Sequence, residues 1–466
     1  MTWWFWRKRG LASVVAAQAK RRRRWWPTLK APLILLIVTF AGLYLSARIV
    51  WRRGGVPANL SVYPDPQSIK ASVVKSIDPD KPLFHPLLRA RGRDIIDKNG
   101  DRIKLISANW YGGSDMFMVS GGLDVRNRSG IARTIRELGF NSVRLPYADE
   151  IVQENPVIEA SLLSANDDLV GERALDVYAA VVQALTEAGL AVIVNNHITQ
   201  ARWCCDGYPC DMGWANDNLG PFCPVKQSED DWIENLMAVM LPHVNNTYVV
   251  GVDLRNEVRG PTGQYMWNSW ATAAERVAAR LHELQPDWLI IVEGVSSAND
   301  IRGAEERPVR LQHQDKLVYS AHVYGWSGWG SLLPYWYRTY KSFAEDMDKN
   351  WQYLRASDTA PVWIGEIGAP GRPARKDFHY WKNLMRYLQE TDVDIGYWAI
   401  NPRKPKNNEY ESYGLLEDDW ETPRLRLQID GFDIAPKAVG PIESRYYHDP
   451  SMVSMHTASD FHERLK

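Results

Sequence analysis

Short apolar, β-branched runs alternate with amphipathic stretches along most of this chain. Eight runs read as strands: Leu105–Trp110, Ser142–Leu145, Ala191–Asn195, Val249–Leu254, Leu289–Val292, Leu317–Ala321, Val362–Gly365 and Ile395–Ala399. Between them, apolar residues recur at helical spacing in Arg173–Ala188, Ser228–Leu241, Trp267–Leu284, Tyr340–Arg355 and Asp377–Glu390. Continuous apolar strands are buried on both faces, and such strands pair in parallel beneath a cover of helices. Eight strand–helix units predict a closed (β/α)8 barrel of the α/β class, a TIM barrel, rather than an open sheet. No Gly-x-Gly-x-x-Gly follows the first strand, which argues against a dinucleotide-binding fold.

A different pattern precedes the barrel. The run Ala31–Ala47 carries no charge and sits at the short end of what spans a bilayer. Residues 1–30 hold nine Lys or Arg and no acid, with Arg21 to Arg24 followed by Trp25 and Trp26. Basic residues before an apolar span keep that flank cytosolic. The expectation is a basic cytosolic tail (1–30), a single transmembrane signal-anchor (31–50), a Pro- and Gly-rich linker (51–84), a barrel body (85–435) and a C-terminal tail (436–466) without clear pattern. Order should begin near Phe84. That makes a type II membrane protein whose body faces the lumen or the outside. The rest of the chain has 46 basic against 56 acidic residues, so the body is no nucleic-acid binder by charge.

Export is consistent with three glycosylation sequons, at Asn59, Asn127 and Asn245, and with the cysteines. Cys204, Cys205, Cys210 and Cys223 fall in one Gly-, Pro- and Asp-rich stretch, which suggests two disulfides stapling a loop after the third strand. Adjacent positions fit disulfide geometry poorly, so Cys204 and Cys205 are expected to pair outward rather than with each other. The spacing has no CxxC pair and does not suggest zinc.

Candidate chemistry gathers at the strand ends, where barrels carry their active sites. The second strand ends in Arg144, the third in His197, the fourth in Asn256 and Glu257. The sixth runs into His322 and Tyr324, the seventh ends in Glu366, and the eighth near Trp398. Each has an ordinary reading: a helix cap for a lone Glu, a structural ion pair for Arg144, core packing for a His or Trp. Their arrival at one rim is what those readings do not explain. Two carboxylates facing each other across a barrel mouth meet the requirement of double-displacement glycoside hydrolysis. Arg144 and Tyr324 are suited to donate to Glu366, His322 to tune Glu257, Asn256 to bond a sugar 2-hydroxyl, and Trp398 to floor the sugar ring. Trp110, at the end of the first strand, is a second candidate platform. The 21 tryptophans lean the composition towards carbohydrate, since aromatic faces stack on sugar rings.

The Arg, His, Asn-Glu, His-x-Tyr, Glu and Trp series resembles glycoside hydrolase family 5, the cellulase-like family, over roughly residues 85–430. All eight of that family's hallmark positions are matched, by Arg144, His197, Asn256, Glu257, His322, Tyr324, Glu366 and Trp398. The loop NNHITQARWCCDG is similar to a Cys-containing insertion in some members. The resemblance implies Glu257 as acid/base, Glu366 as nucleophile, retention of configuration and a β-glycan or β-glycoside substrate; His197 and His322 lack a third ligand partner in the sequence, so no catalytic metal or other cofactor is expected. A catalytically silent sugar-binding barrel has no need of both carboxylates. A glycosyltransferase sharing the anchor topology would need a nucleotide-sugar site with an Asp-x-Asp motif at a strand end.

Overall fold

The computed structural model describes residues 83–260, 266–328, 333–371 and 373–424. The expected anchor at 31–50, nearly all of the linker at 51–84 and the tail at 436–466 lie outside the described residues. No helix among the described residues is long and apolar enough to cross a membrane.

Eight strands close into a barrel: β1 (Ile106–Asn109), β2 (Ser142–Ala148), β3 (Ala191–Ile198), β4 (Val249–Asp253), β5 (Leu289–Glu293), β6 (Leu317–Val323), β7 (Val362–Ile367) and β8 (Asp394–Tyr397). Every pairing is parallel, and β8 returns to β1 with Ile395 opposite Ile106. Each strand is buried throughout, which is why its sequence reads as a continuous apolar run rather than an alternating one.

The helices that cover the barrel include α1 (Arg128–Glu137), α2 (Ala174–Glu187), α3 (Glu229–Met240), α4 (Trp267–Leu284), α5 (Tyr340–Met347) and α6 (Arg375–Thr391). The sequence pattern missed α1, whose inner face is narrow: Ile131, Ala132 and Ile135 are buried beside Gly130 and Thr134. Asn127 caps it, accepting from the Ser129 N–H. Ser228 and Asp231 form a reciprocal capping box on α3. The single helix expected over Tyr340–Arg355 is broken by a wide turn at Asp348–Gln352 before a last turn at Tyr353–Ala356. The wide turn keeps Trp351 and Leu354 on the same buried face as Phe343 and Met347.

The barrel's two ends differ. At the N-terminal end, a hairpin of Arg89–Arg91 with Asp94–Ile96 follows a segment that packs under the strand starts. Phe84 meets Tyr248 edge-on at 5.2 Å, and Lys316 Nζ donates to the Leu88 carbonyl at 3.0 Å. At the C-terminal end, polar side chains enter the interior. Asn109, Arg144, Asn195, Asp253, Glu293 and His322 are all buried there. Just past β2, Asp149 accepts from Arg255 at 3.1 Å, Asn196 at 2.9 Å and Gln227 at 2.9 Å, which ties the ends of β3 and β4 to the loop before α3.

The disulfides correct one expectation. Cys210 pairs with Cys223 across a Cα separation of 5.6 Å, but Cys204 and Cys205 pair with each other. Their shared peptide is cis and their Cα atoms lie 3.2 Å apart, a geometry the usual disulfide range does not cover. Both bridges lie in the segment after β3, and among the described residues no cysteine is free.

Candidate active site

Arg144 is the hub of the barrel mouth. It projects inward from β2, is fully buried, and has a carboxylate or amide on every side. Nε donates to Asp253 Oδ2 at 2.8 Å, Nη1 to Glu366 Oε1 at 2.5 Å and to Asn109 Oδ1 at 3.1 Å. Nη2 donates to Asn256 Oδ1 at 2.7 Å and to Glu293 Oε1 at 2.9 Å. A guanidinium's planar fork suits such convergence, and removal of one partner would leave an uncompensated buried charge. Burial works against the Arg144 cation, but Asp253, Glu366 and Glu293 more than offset this and raise its pKa.

Glu257 and Glu366 close the site from β4 and β7. Glu366 Oε2 accepts the Tyr324 hydroxyl at 2.8 Å, so both of its oxygens carry donors, the arrangement a carboxylate anion takes. Glu257 lies just past β4 with a positive φ of 49°, a backbone conformation most residues avoid. Burial raises the Glu257 pKa above its ordinary value of 4.5, opposed by the contact with His322 and assisted by the charge of Glu366. His322 Nδ1 lies 3.1 Å from Glu257 Oε1. One ligand-type atom from each of Glu257, His322 and Glu366 lies within 4.8 Å of the others. An oxygen of Glu257 thus lies within 4.8 Å of one of Glu366, an approach that accords with the roughly 5 to 5.5 Å carboxyl separation of a retaining pair.

His322 stands between charges. Burial alone would lower its pKa, but Glu293 and Glu366 raise it well above 6.5, which favours the imidazolium. An imidazolium has no lone pair to offer a metal ion. The other metal-like cluster, His197 with Cys204 and Cys205, contains cysteines already spent on a disulfide. Room for the His322 ring comes from Gly365 on β7: a Cβ there would sit 3.2 Å from His322 Nε2 and 2.9 Å from Ser320 Oγ.

His197 behaves oppositely. Burial, then the charges of Arg144 and His322, push its pKa well below 6.5 and leave it neutral. Asn195 donates to Asp253 at 3.0 Å, so its Oδ1 faces His197 Nδ1 at 2.8 Å and assigns the proton to Nδ1. His197 stacks on Trp398 at 5.4 Å, and Tyr111 stacks on the same indole at 5.1 Å. Trp203, half-buried, meets both Tyr111 and Trp398 edge-on. On the opposite side Trp326 stacks on Tyr324 at 4.9 Å. These rings line the cleft with flat apolar faces. Asn256 is oriented from both ends. Arg144 holds its Oδ1, and its Nδ2 donates to Sγ of Cys205 at 3.2 Å and of Cys204 at 3.5 Å.

The structure thus brings Arg144, His197, Asn256, Glu257, His322, Tyr324, Glu366 and Trp398 together. It does not bring Trp110. That side chain is 0% exposed, donates to the Gly121 carbonyl at 2.9 Å and packs against Trp420. Side chains alternate along a strand, so Asn109 and Tyr111 face the site while Trp110 turns away from it, against the loops that carry Gly121 and Trp420. Cys210 and Cys223 stay away from the carboxylates, whereas Cys204 and Cys205 join the site. Asp253 and Glu293 were missed. Glu293 ends β5 just as Glu366 sits near the end of β7, and the rule that found the other strand-end residues finds it too.

Comparison with known proteins agrees with this geometry. The family model for cellulase (glycosyl hydrolase family 5) matches residues 96–404. A glycosyl hydrolase 5 family protein of Chamaecyparis obtusa is 29% identical over 369 residues, covering 73% of this chain and 64% of the relative, so this chain spans less than two thirds of that protein's length. An endoglucanase of Paenibacillus polymyxa is 26% identical, covering 71% of this chain and 83% of that one. A hyperthermophilic endocellulase from Pyrococcus horikoshii shares the fold, with a TM-score of 0.62 at 23% identity over 77% of this chain and 100% of that one. With the family match running from ahead of β1 to beyond β8, the chain belongs to glycosyl hydrolase family 5, the cellulase family.

Proposed function

We propose that this chain is a retaining glycoside hydrolase acting on β-linked glucan, of the endo-β-1,4-glucanase kind. One observation carries the reading: two buried carboxyls in opposite environments, with oxygens within 4.8 Å of each other. Glu366 attacks the anomeric carbon as Glu257 gives its proton to the departing glycosidic oxygen, and a glycosyl ester forms on Glu366. A water then enters, Glu257 takes its proton, and the oxygen displaces Glu366 from the anomeric carbon. Tyr324 and Arg144 receive the charge returning to Glu366. Trp398 and His197 floor the sugar at the cleavage point, and Asn256 bonds its 2-hydroxyl. The substrate class follows from the relatives' description as endoglucanases and from a Pyrococcus horikoshii neighbour described in complex with cellotetraose.

Proton NMR of the first product released from a β-glucan oligomer tests the mechanism. The β-anomer should appear first, and Glu366→Gln should cut turnover by roughly 10⁴-fold or more. A first product of α configuration would sink the retaining assignment. Assays on β-glucans, mannans, xyloglucan and glucosyl lipids test the substrate class.

The chain is further proposed to be a single-pass type II membrane glycoprotein, anchored by residues 31–50, with the barrel lumenal or extracellular. The basic flank supports this, as does the surface position of the Asn245 sequon. Protease digestion of intact vesicles tests it. A barrel cleaved from the cytosolic side and carrying no glycan would refute it.

A further inference from the structure

Glu293 touches three members of the catalytic apparatus and is itself 0% exposed. Oε1 accepts from Arg144 Nη2 at 2.9 Å and lies 3.3 Å from His322 Nε2, an ion pair whose angle falls short of a hydrogen bond. Oε2 accepts the backbone N–H of Glu257 at 2.7 Å. The main chain is fixed as well: the Glu293 carbonyl accepts the Trp270 indole N–H at 2.8 Å, and the residue sits opposite Ser320 on β6. No sugar reaches a side chain so enclosed, so any effect it has on the reaction passes through its neighbours.

We infer that Glu293 is a positioning residue whose negative charge keeps His322 an imidazolium and, through it, fixes which oxygen of Glu257 bears the catalytic proton. The inference rests on the hydrolytic reading above. An imidazolium has hydrogens on both ring nitrogens. Nε2–H faces Glu293, so Nδ1–H must point at Glu257 Oε1, 3.1 Å away. An oxygen already accepting a charged donor does not keep the acid proton, which is left on Oε2. A neutral His322 would be free to present a lone pair at Nδ1, draw the Glu257 proton inward, and withhold it from the leaving oxygen. Glu293 also holds Glu257 in its unusual backbone conformation through the 2.7 Å contact to its N–H.

The charges facing this cluster come from every neighbouring strand end: Arg144 from β2, Asp253 from β4, Glu366 from β7 at 3.7 Å from His322 Nδ1, with the Arg259 cation, the Tyr324 phenol and His197 beyond them. Burial and then the charge of Glu293 raise the Asp253 pKa, against the pull of the Arg144 guanidinium. Burial opposes ionisation of Glu293 too, but His322 and Arg144 hold its pKa down to about 2. Glu293 and Glu366 therefore both face His322, at 3.3 and 3.7 Å, and Arg144 pairs with both acids.

Glu293→Gln separates charge from shape, because the amide oxygen still accepts the Glu257 N–H. Nitrogen-15 NMR of the histidine rings reads the result without any activity assay, with His322→Gln identifying the signal. In the wild type both His322 nitrogens should stay protonated from pH 5 to about 8, well past the ordinary histidine value of 6.5. In Glu293→Gln the ring should lose a proton in that range, and kcat on β-glucan should fall by roughly 10²-fold with KM nearly unchanged. The alkaline limb of kcat/KM should move up, because the cation that lowers the Glu257 pKa is gone. Glu293→Asp, which keeps the charge, should restore the imidazolium signal even if turnover recovers only in part. Should Glu293→Gln not fold, the wild-type titration and Glu293→Asp decide the question. A wild-type His322 that titrates near 6.5, or a Glu293→Gln protein whose His322 stays doubly protonated, overturns the inference. A wild type inactive on every glucan with a persistently doubly protonated His322 refutes the substrate reading and leaves the role of Glu293 standing.

Discussion

Glu257 and Glu366 are the same functional group, and only their surroundings divide the labour between them. Glu366 accepts from Arg144 and Tyr324, while Glu257 is buried beside His322 and raised above its ordinary value. The sign of the pH effect follows. Glu257 works as an acid only while protonated, so activity is lost as pH rises through its elevated pKa. Glu257→Ala should abolish that alkaline limb. It should slow β-glucan hydrolysis by roughly 10²- to 10⁴-fold while sparing the first step on aryl glycosides, whose leaving groups need no proton. An alkaline limb that survives in Glu257→Ala would mean that another group donates. Strand-end position and residue type made Arg144, Glu257, His322 and Glu366 visible in the sequence. The same features failed for Trp110 because facing direction is a one-residue matter: Tyr111 carries the ring into the cleft and Trp110 turns its ring to the loops of Gly121 and Trp420.

At the scale of elements, the segment between β3 and α3 holds two bridges with different physical effects. Cys210–Cys223 spans a sequence separation of 13, and closing such a loop restricts the unfolded chain. Its removal by Cys210→Ser with Cys223→Ser should cost roughly 3 kcal/mol of stability in a denaturant titration and leave kcat largely intact. Cys204–Cys205 joins neighbours and encloses almost no chain, so its loss should hardly move the unfolding midpoint. Its sulfurs instead receive Asn256 Nδ2. Cys204→Ala with Cys205→Ala should therefore lower kcat/KM by roughly tenfold, about the worth of one hydrogen bond. Equal losses of stability from the two double variants would contradict this division. Four clustered cysteines announced two bridges. Their pairing needed the tertiary structure, since residue spacing does not report which sulfurs meet in space.

Across the whole molecule, stability is coupled to pH by an acid outside the catalytic pair. Asp115 follows β1, is 4% exposed, and its Oδ2 has no hydrogen-bond partner among the described residues. Burial, and then the charge of Glu411, raise its pKa from 3.8 to about 8. Below about pH 4 both folded and unfolded chains hold this proton and the contribution to stability is complete. As pH rises towards 8 the unfolded chain has released the proton and the folded one has not, so stability is lost. Asp115→Asn should gain in melting temperature relative to the wild type between pH 4 and pH 8. A difference that stays constant over that range would refute the coupling. The hydrophobic period alone determined the eight-stranded barrel, because a strand buried on both faces must be apolar along its length whatever its neighbours are. The order of residues at the strand ends determined the family and the candidate carboxylates. Only the closed barrel decided that Arg144 serves Glu366, Glu293, Asp253 and Asn256 at once, that the surroundings raise the His322 pKa and lower that of His197, and that Cys204 meets Cys205. Those outcomes depend on distances between residues up to 222 positions apart, and a charge's neighbours in space set its energy, not its neighbours in sequence.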